Sequence, residues 1–452
     1  MSQVESGSES LTGKSGSLIA RTGRLIQLDR TLLFALASRV WQAASGPVTV
    51  ALILRYLTPG QQGVYYTLVT IVGVQAFFEL GLLNVLVSQA GHAHAGETES
   101  EDSSRQRMHL LIRSSFRWFA VASLLYGLTS LSYGWYTYSA SDAPEGWRGP
   151  LCCLIPLAAL TVFLSPILAL LEGAGQRQFV YLLRLIQMVM GSLAVWSCLV
   201  VGLGIWTLVV SIAVQLACML WAAARLRHLY PGGTDVVEGR DEFRWSRDVL
   251  PSQWRLAVAS AAYHFATQLF PLIVLTFHTT IEAGRLGMTL TITTAIQMFS
   301  ASWVQTKYSV AAQQHARGSR EEAGTMWRQA AIISSVVLIC GFGALALLIP
   351  ATGWLRADLP TRFIEPWQVA CLGIGAVAFH GVSLQSFYVL SRGGNPLLLA
   401  SLIGSLAVGA GVWGLGYVYG TAGIALAYSC FAVAIALPVH TWAYLRYRKV
   451  GQ

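Results

Sequence analysis

The chain has 452 residues, of which 54% are hydrophobic and only 11% charged, and its formal net charge is +9. So few polar groups cannot coat a soluble protein of this length, so the composition places the chain in a bilayer and excludes an ordinary soluble enzyme. The positive charge needs no nucleic-acid partner: Arg225, Arg227, Arg240, Arg244 and Arg247 flank apolar segments, where anionic membrane lipids meet them.

Residues 1–30 are rich in Ser and Gly, carry Lys14, Arg21 and Arg24, and contain no apolar core. They read as a disordered cytoplasmic tail rather than a cleaved signal peptide. Twelve apolar segments follow, at 31–54, 64–89, 114–138, 149–171, 180–201, 204–224, 255–277, 286–305, 329–350, 366–390, 396–416 and 420–444. Each has about the 20 residues that a helix needs to cross roughly 30 Å of hydrocarbon with its backbone amides satisfied internally. The fold class is therefore all-α polytopic. The charged loops 90–113 and 225–254 are expected to be partly helical along the membrane surface.

The second half repeats the layout of the first. Pro47 and Pro271, Gly60 and Gly284, and Gly63 and Gly287 are each 224 residues apart; Gly175 and Gly394, and Gly204 and Gly423, are 219 apart. Six spans per half is an even number, so both halves enter from the same side and form two parallel six-helix lobes. The predicted divisions are a first lobe at 31–226, a cytoplasmic linker at 227–253 and a second lobe at 254–445. Pro47 and Pro271 are expected to bend spans 1 and 7 at matching depth and act as hinges. With the N-terminus in the cytoplasm, the tails and even-numbered loops, with the adjoining span edges, hold 24 of the 30 Lys and Arg. Basic residues stay on the cytoplasmic side during insertion, so both termini are expected there. The seven cysteines all fall in apolar spans without metal-ligand spacing and read as small core residues. No nucleotide-binding loop, metal triad or nucleophile motif is present, and no cofactor is expected.

An ionisable group inside hydrocarbon requires a partner or a wet cavity. Arg39 shares a helical face with Gln42, Gly46 and Thr49. It is either a cationic contact for an anionic substrate headgroup or an arginine reaching back to lipid phosphate. Glu79 extends a polar face with Gln75 and pairs with Arg39, couples an ion, or serves as a structural acid. Arg184 lies one turn inside the cytoplasmic edge of span 5 and is either a substrate contact or an edge residue. In the second half His264 and Gln268 are one turn apart, Thr289, Thr293, Gln297 and Ser300 stripe span 8, and His380 marks span 10. Hydroxyls in such stripes join helices as readily as they bind a ligand. A neutral imidazole satisfies a packed core as readily as it takes up a proton.

The stretch Leu54-Arg55-Tyr56-Leu57-Thr58-Pro59-Gly60-Gln61-Gln62-Gly63-Val64-Tyr65, followed by Glu79-Leu80-Gly81-Leu82, resembles the span 1 to span 2 signature of polysaccharide flippases. Leu171-Glu172-Gly173-Ala174-Gly175-Gln176 and Leu390-Ser391-Arg392-Gly393-Gly394-Asn395 resemble the family's turns after spans 4 and 10. The resemblance points to the O-antigen (Wzx-type) branch of the MOP superfamily of multidrug, oligosaccharidyl-lipid and polysaccharide exporters, with its MATE-like fold. It implies translocation of an undecaprenyl-diphosphate-linked oligosaccharide across the bacterial inner membrane, energised by an ion gradient, alongside a polysaccharide polymerase and other assembly proteins. On that reading Arg39, Gln42, Thr49, Arg184, Gln268 and Gln297 contact substrate, and Glu79, His264 and His380 couple the ion. The alternatives are a multidrug/cation antiporter of the same superfamily and a membrane polysaccharide polymerase.

Overall fold

The computed structural model describes residues 30–450 except 80, 95–100, 232–249, 317, 318, 355 and 393–395. The predicted tail up to residue 29, most of the predicted linker and the repeat landmark at Gly394 lie outside the described residues. Regular structure among the described residues is helical throughout. Span 1 is Arg30–Tyr56, span 2 the three pieces Pro59–Gly73, Gln75–Glu79 and Leu82–His94, span 3 Glu101–Ala140, and span 4 Arg148–Leu164 with Pro166–Gly173. Spans 5 and 6 are Arg177–Val201 and Thr207–Leu229. The second lobe has Leu250–Thr267 with Phe270–Phe277 as span 7, Thr280–Ala316 as span 8, Arg320–Ala351 as span 9 and Pro366–Leu390 as span 10. Spans 11 and 12 form one helical run, Leu398–Arg448, broken at Gly420. By length and apolarity alone six helices can cross a bilayer, or eight with the two bent pairs counted as spans. Dividing Leu398–Arg448 and adding Arg30–Tyr56, Glu101–Ala140 and Thr280–Ala316 gives twelve among the described residues.

Local chemistry sets the boundaries. Thr58 and Gln61 form a reciprocal capping box with Pro59 in the first turn, which starts span 2. Glu365 and Gln368 do the same for span 10 behind Pro366. At Gly420 the backbone takes φ 58° and ψ −136°, which only glycine adopts at low cost. The Glu282 carboxylate fixes this turn, accepting bonds from the Thr421 amide at 2.8 Å and hydroxyl at 2.9 Å.

Two expectations change. The charged stretch before span 3 does not lie as a separate surface helix: residues from Glu101 onward continue into span 3 as one 40-residue helix. Nor does span 1 break at Pro47. On either side of the proline span 1 is strapped to span 5, by Trp41 Nε1 to Ser192 Oγ and Trp196 Nε1 to Thr49 Oγ1, both at 2.8 Å. The Thr49 hydroxyl also donates to the Ser45 carbonyl beside the proline. Span 7 bends by 52° ahead of Pro271, and span 2 by 46° beside Gly81.

The apolar cores show where the lobes join. One cluster runs through both lobes, with Ile53, Val64, Leu68 and Leu151 of the first packed with Phe270, Leu286, Phe342 and Val369 of the second. Towards the other end the cores separate, one around Leu86, Met108 and Leu171, another around Val304, Ala311 and Trp327. The lobes are fused at one end and diverge at the other.

Spans 2 and 8 cross at the fused end, where the repeat landmarks meet. A Cβ added to Gly284 would lie 2.6 Å from the Gly63 backbone, and one added to Gly63 would lie 2.7 Å from Thr280 Cγ2. Tyr133 Oη bonds Thr276 Oγ1 at 2.6 Å, and Asp142 accepts from the Thr280 amide at 2.7 Å, each joining the lobes. Over the crossing lies the loop before span 10. Its Arg362, only 8% exposed, donates to Gln62 Oε1 at 3.0 Å and to the Leu57 carbonyl at 2.7 Å. Gln62 Nε2 in turn donates to the Gly284 and Arg362 carbonyls. Burial pushes the Arg362 guanidinium below its ordinary pKa, opposed by the Asp358 charge; arginine stays protonated regardless.

Candidate functional site

Towards the end where the cores separate, span 1 and span 8 face each other. Arg39 projects from span 1 and its Nη2 donates to Gln305 Oε1 of span 8 at 3.4 Å. The contact is exposed, and no carboxylate pairs with Arg39 among the described residues. Gln42, one turn along, is also exposed. Thr49 lies on the same span but is turned to Trp196 of its own lobe.

Behind span 2, in the first lobe, spans 2, 4, 5 and 6 line a partly open polar cavity of about 430 Å³. Glu79 and Arg184 both line it. Arg184 is occupied there by Glu172 at 3.3 Å and lies over the Tyr181 ring. Glu79 forms no ion pair with Arg39; the two stand in different compartments.

The second lobe uses its polar groups differently. His264 Nδ1 donates to the Ser260 carbonyl at 2.9 Å, and its ring meets Phe77 of span 2 edge-on, with centroids 5.6 Å apart. Gln268 is exposed at the break in span 7, and Gln297 is half-buried in span 8. Ser300 donates to the Ser334 carbonyl at 2.6 Å, and Ser334 Oγ meets His380 Nε2 at 2.8 Å, so His380 joins spans 9 and 10. A second buried imidazole, His440, bonds Gln385 at 2.8 Å and Ser386 at 3.0 Å. His440 follows the π-helical turn Ala432–Ala436, and no periodicity in the sequence singles it out. The Arg362–Gln62 contact was equally invisible, because a loop arginine 300 residues from its partner carries no local signal. No group of three or more His, Cys, Asp or Glu able to hold a metal exists among the described residues.

No protein-family profile matches the chain, and no curated protein does. Solved structures do match over nearly its whole length. One is an inward-facing multidrug resistance MATE family transporter of the MOP superfamily, at TM-score 0.60 and 15% identity, covering 94% of this chain and 97% of that one. Another is the lipid II flippase MurJ in an inward closed conformation, at TM-score 0.65 and 13% identity, over 91% and 87% of the chains. A third is a MOP superfamily transporter from Pyrococcus furiosus Vc1 (DSM3638) noted for the reverse polarity of its binding pocket, at TM-score 0.52 and 14% identity, over 94% of each. The chain is a multi-pass membrane protein with the fold of the MOP superfamily transporters. The proteins sharing that fold are transporters and a flippase.

Proposed function

We propose that the chain is a flippase that moves an undecaprenyl-diphosphate-linked oligosaccharide from the cytoplasmic to the outer leaflet of the bacterial inner membrane, for O-antigen, capsule or exopolysaccharide synthesis. The observation that carries this reading is Arg39. A guanidinium well inside span 1, bridging the gap between the lobes with only a neutral amide at 3.4 Å, is a cation held ready for an anion. A diphosphate head supplies that anion, while the polyprenyl tail stays in lipid between the diverging lobes. The tails and even-numbered loops carry most of the Lys and Arg, which supports a cytoplasmic location for both termini. Alternating access then consists of opening the fused end while the other closes. Of the ionisable groups Glu79, His264 and His380, His264 touches both lobes through Phe77, so proton coupling is assigned there first. A polymerase and other assembly proteins would consume the flipped product.

A multidrug/cation antiporter is the second reading, and one observation favours it: Glu79 faces a polar cavity and makes no hydrogen bond among the described residues. A clean gene deletion separates the two. The flippase reading expects glycan-diphosphate-lipid stranded in the cytoplasmic leaflet. Normal surface glycan with raised sensitivity to cationic drugs, in a host with no redundant flippase, would overturn it.

A further inference from the structure

Hydroxyls in the membrane spans of this protein are mostly turned back on the backbone. Beside the first-lobe cavity Thr161 donates to the Ala158 carbonyl at 2.7 Å and Ser165 to the Val162 carbonyl at 2.9 Å. Four larger polar side chains lining the same cavity behave otherwise. Gln75, Glu79, Asn84 and Gln215 form no side-chain hydrogen bond among the described residues, yet they face a common space of about 430 Å³ within the lobe. Small-molecule sites occupy about 300 to 1,000 Å³, so the space suits a ligand.

The bend in span 2 creates this convergence. Gln75 and Glu79 are one turn apart and share a face. Asn84, five residues beyond Glu79, would point about 140° away on an unbroken helix. The positive φ of 65° at Gly81 redirects the chain and returns Asn84 to the same cavity.

Charge selects the ligand class. Arg184 is taken by Glu172 and the remaining ionisable group, Glu79, is an acid, so the cavity offers no spare cation to a diphosphate or an acidic sugar. A divalent cation wants six or more oxygen ligands from several carboxylates, and no group of three carboxylates, histidines or cysteines is present among the described residues. Three amides that both donate and accept, one carboxylate that accepts and the Tyr181 ring make a set matched to vicinal hydroxyls on a ring.

We infer that this cavity is a sugar subsite, which takes an uncharged pyranose of the translocated glycan while the diphosphate rests at Arg39. The assignment builds on the flippase reading and divides its substrate into two parts held in two compartments.

The test uses the full chain in lipid nanodiscs free of glycoside detergent, with methyl glucoside, methyl N-acetylglucosaminide and methyl glucuronide at millimolar concentration as probes in saturation-transfer NMR. The two neutral glycosides should give signals that fall about fivefold in Gln75→Leu and in Gln215→Leu, the factor set by one lost hydrogen bond. Methyl glucuronide should bind less well, and Gly343→Ala in the other lobe, whose added Cβ meets nothing within 4 Å, should change nothing. Should a leucine variant fail to fold, Asn84→Cys decides alone: the neutral glycosides must slow its alkylation. Signals that survive both leucine variants, alkylation indifferent to glycosides, or sodium or protons bound through Glu79 with no glycoside binding would each overturn the subsite. Transport of lipid-linked oligosaccharide in vesicles is measured in parallel. Transport without glycoside binding here sinks the subsite alone, whereas glycoside binding here without transport in the wild type sinks the flippase reading alone.

Discussion

Gly284→Ala should force the fused end open. A Cβ at this position would lie 2.6 Å from both Cα and N of Gly63 and 3.1 Å from the Gln62 carbonyl carbon. All three are backbone atoms, so no rotamer change relieves them, and span 2 must retreat by about 0.4 Å merely to reach 3.0 Å. Overpacking of this kind costs about 1 to 3 kcal/mol, and the cost exists only while spans 2 and 8 cross. Alanine also favours the helix over glycine by about 1 kcal/mol, but span 8 is helical in either state, so that gain cancels from the equilibrium. The ratio of sealed to open molecules should therefore fall about 5- to 150-fold. Met288 reports it: its side chain is fully buried at the crossing, with Sδ 3.7 Å from Gln62 Nε2. In a background lacking the seven native cysteines, Met288→Cys should react slowly with an impermeant maleimide, and Gly284→Ala should speed the reaction about fivefold or more. Gly343→Ala is the control, because nothing lies within 4 Å of its added Cβ. An unchanged rate in a Gly284→Ala protein that melts as the parent does would refute the crossing as the seal.

The loop over the crossing should act with it. Arg362→Ala and Gln62→Leu should each raise Met288→Cys labelling, and their double-mutant cycle should show coupling of about 0.5 to 3 kcal/mol; additive effects would mean that the 3.0 Å contact contributes nothing. Gly420→Ala should lower thermal stability by about 1 to 3 kcal/mol, since the added Cβ meets the Glu282 carboxylate at a backbone angle only glycine tolerates; an unaltered melting curve would show the turn to be relaxed. Arg39→Ala should abolish most transport of lipid-linked oligosaccharide at unchanged abundance, with Arg39→Lys partly restoring it, and full complementation of a flippase deletion by the alanine variant would remove Arg39 from the substrate path.

Much of the fold was legible because its causes are periodic or local. Apolar runs, the Thr58-Pro59 start of span 2 and the spacing of Gly63 from Gly287 are written along the chain. Pro47 and Pro271 show the limit of such reading. Both remove the same backbone donor, but the outcome depends on what the neighbouring helix offers. Trp41 and Trp196 strap span 1 to span 5 on either side of Pro47 and the helix runs on unbroken, while span 7 breaks with a bend of 52°. A proline supplies the opportunity for a hinge, and tertiary packing decides whether the opportunity is taken.

The site divides in the same way. Arg39, Glu79 and Arg184 were visible because a charge in an apolar segment stands out whatever surrounds it. Their partners were not: Gln305 is 266 residues from Arg39, and the cavity at Glu79 brings Gln75 and Asn84 of span 2 together with Gln215 of span 6. Neutral amides such as Gln75 and Gln215 look alike in sequence whether they join helices or face open space. The difference lies in whether a partner stands within about 3.5 Å. His380 and Gln75 illustrate the two outcomes, since Ser334 closes the one and nothing among the described residues closes the other. A helix-joining polar group favours one arrangement of spans, whereas an unspent one inside a membrane protein must be met by water or ligand.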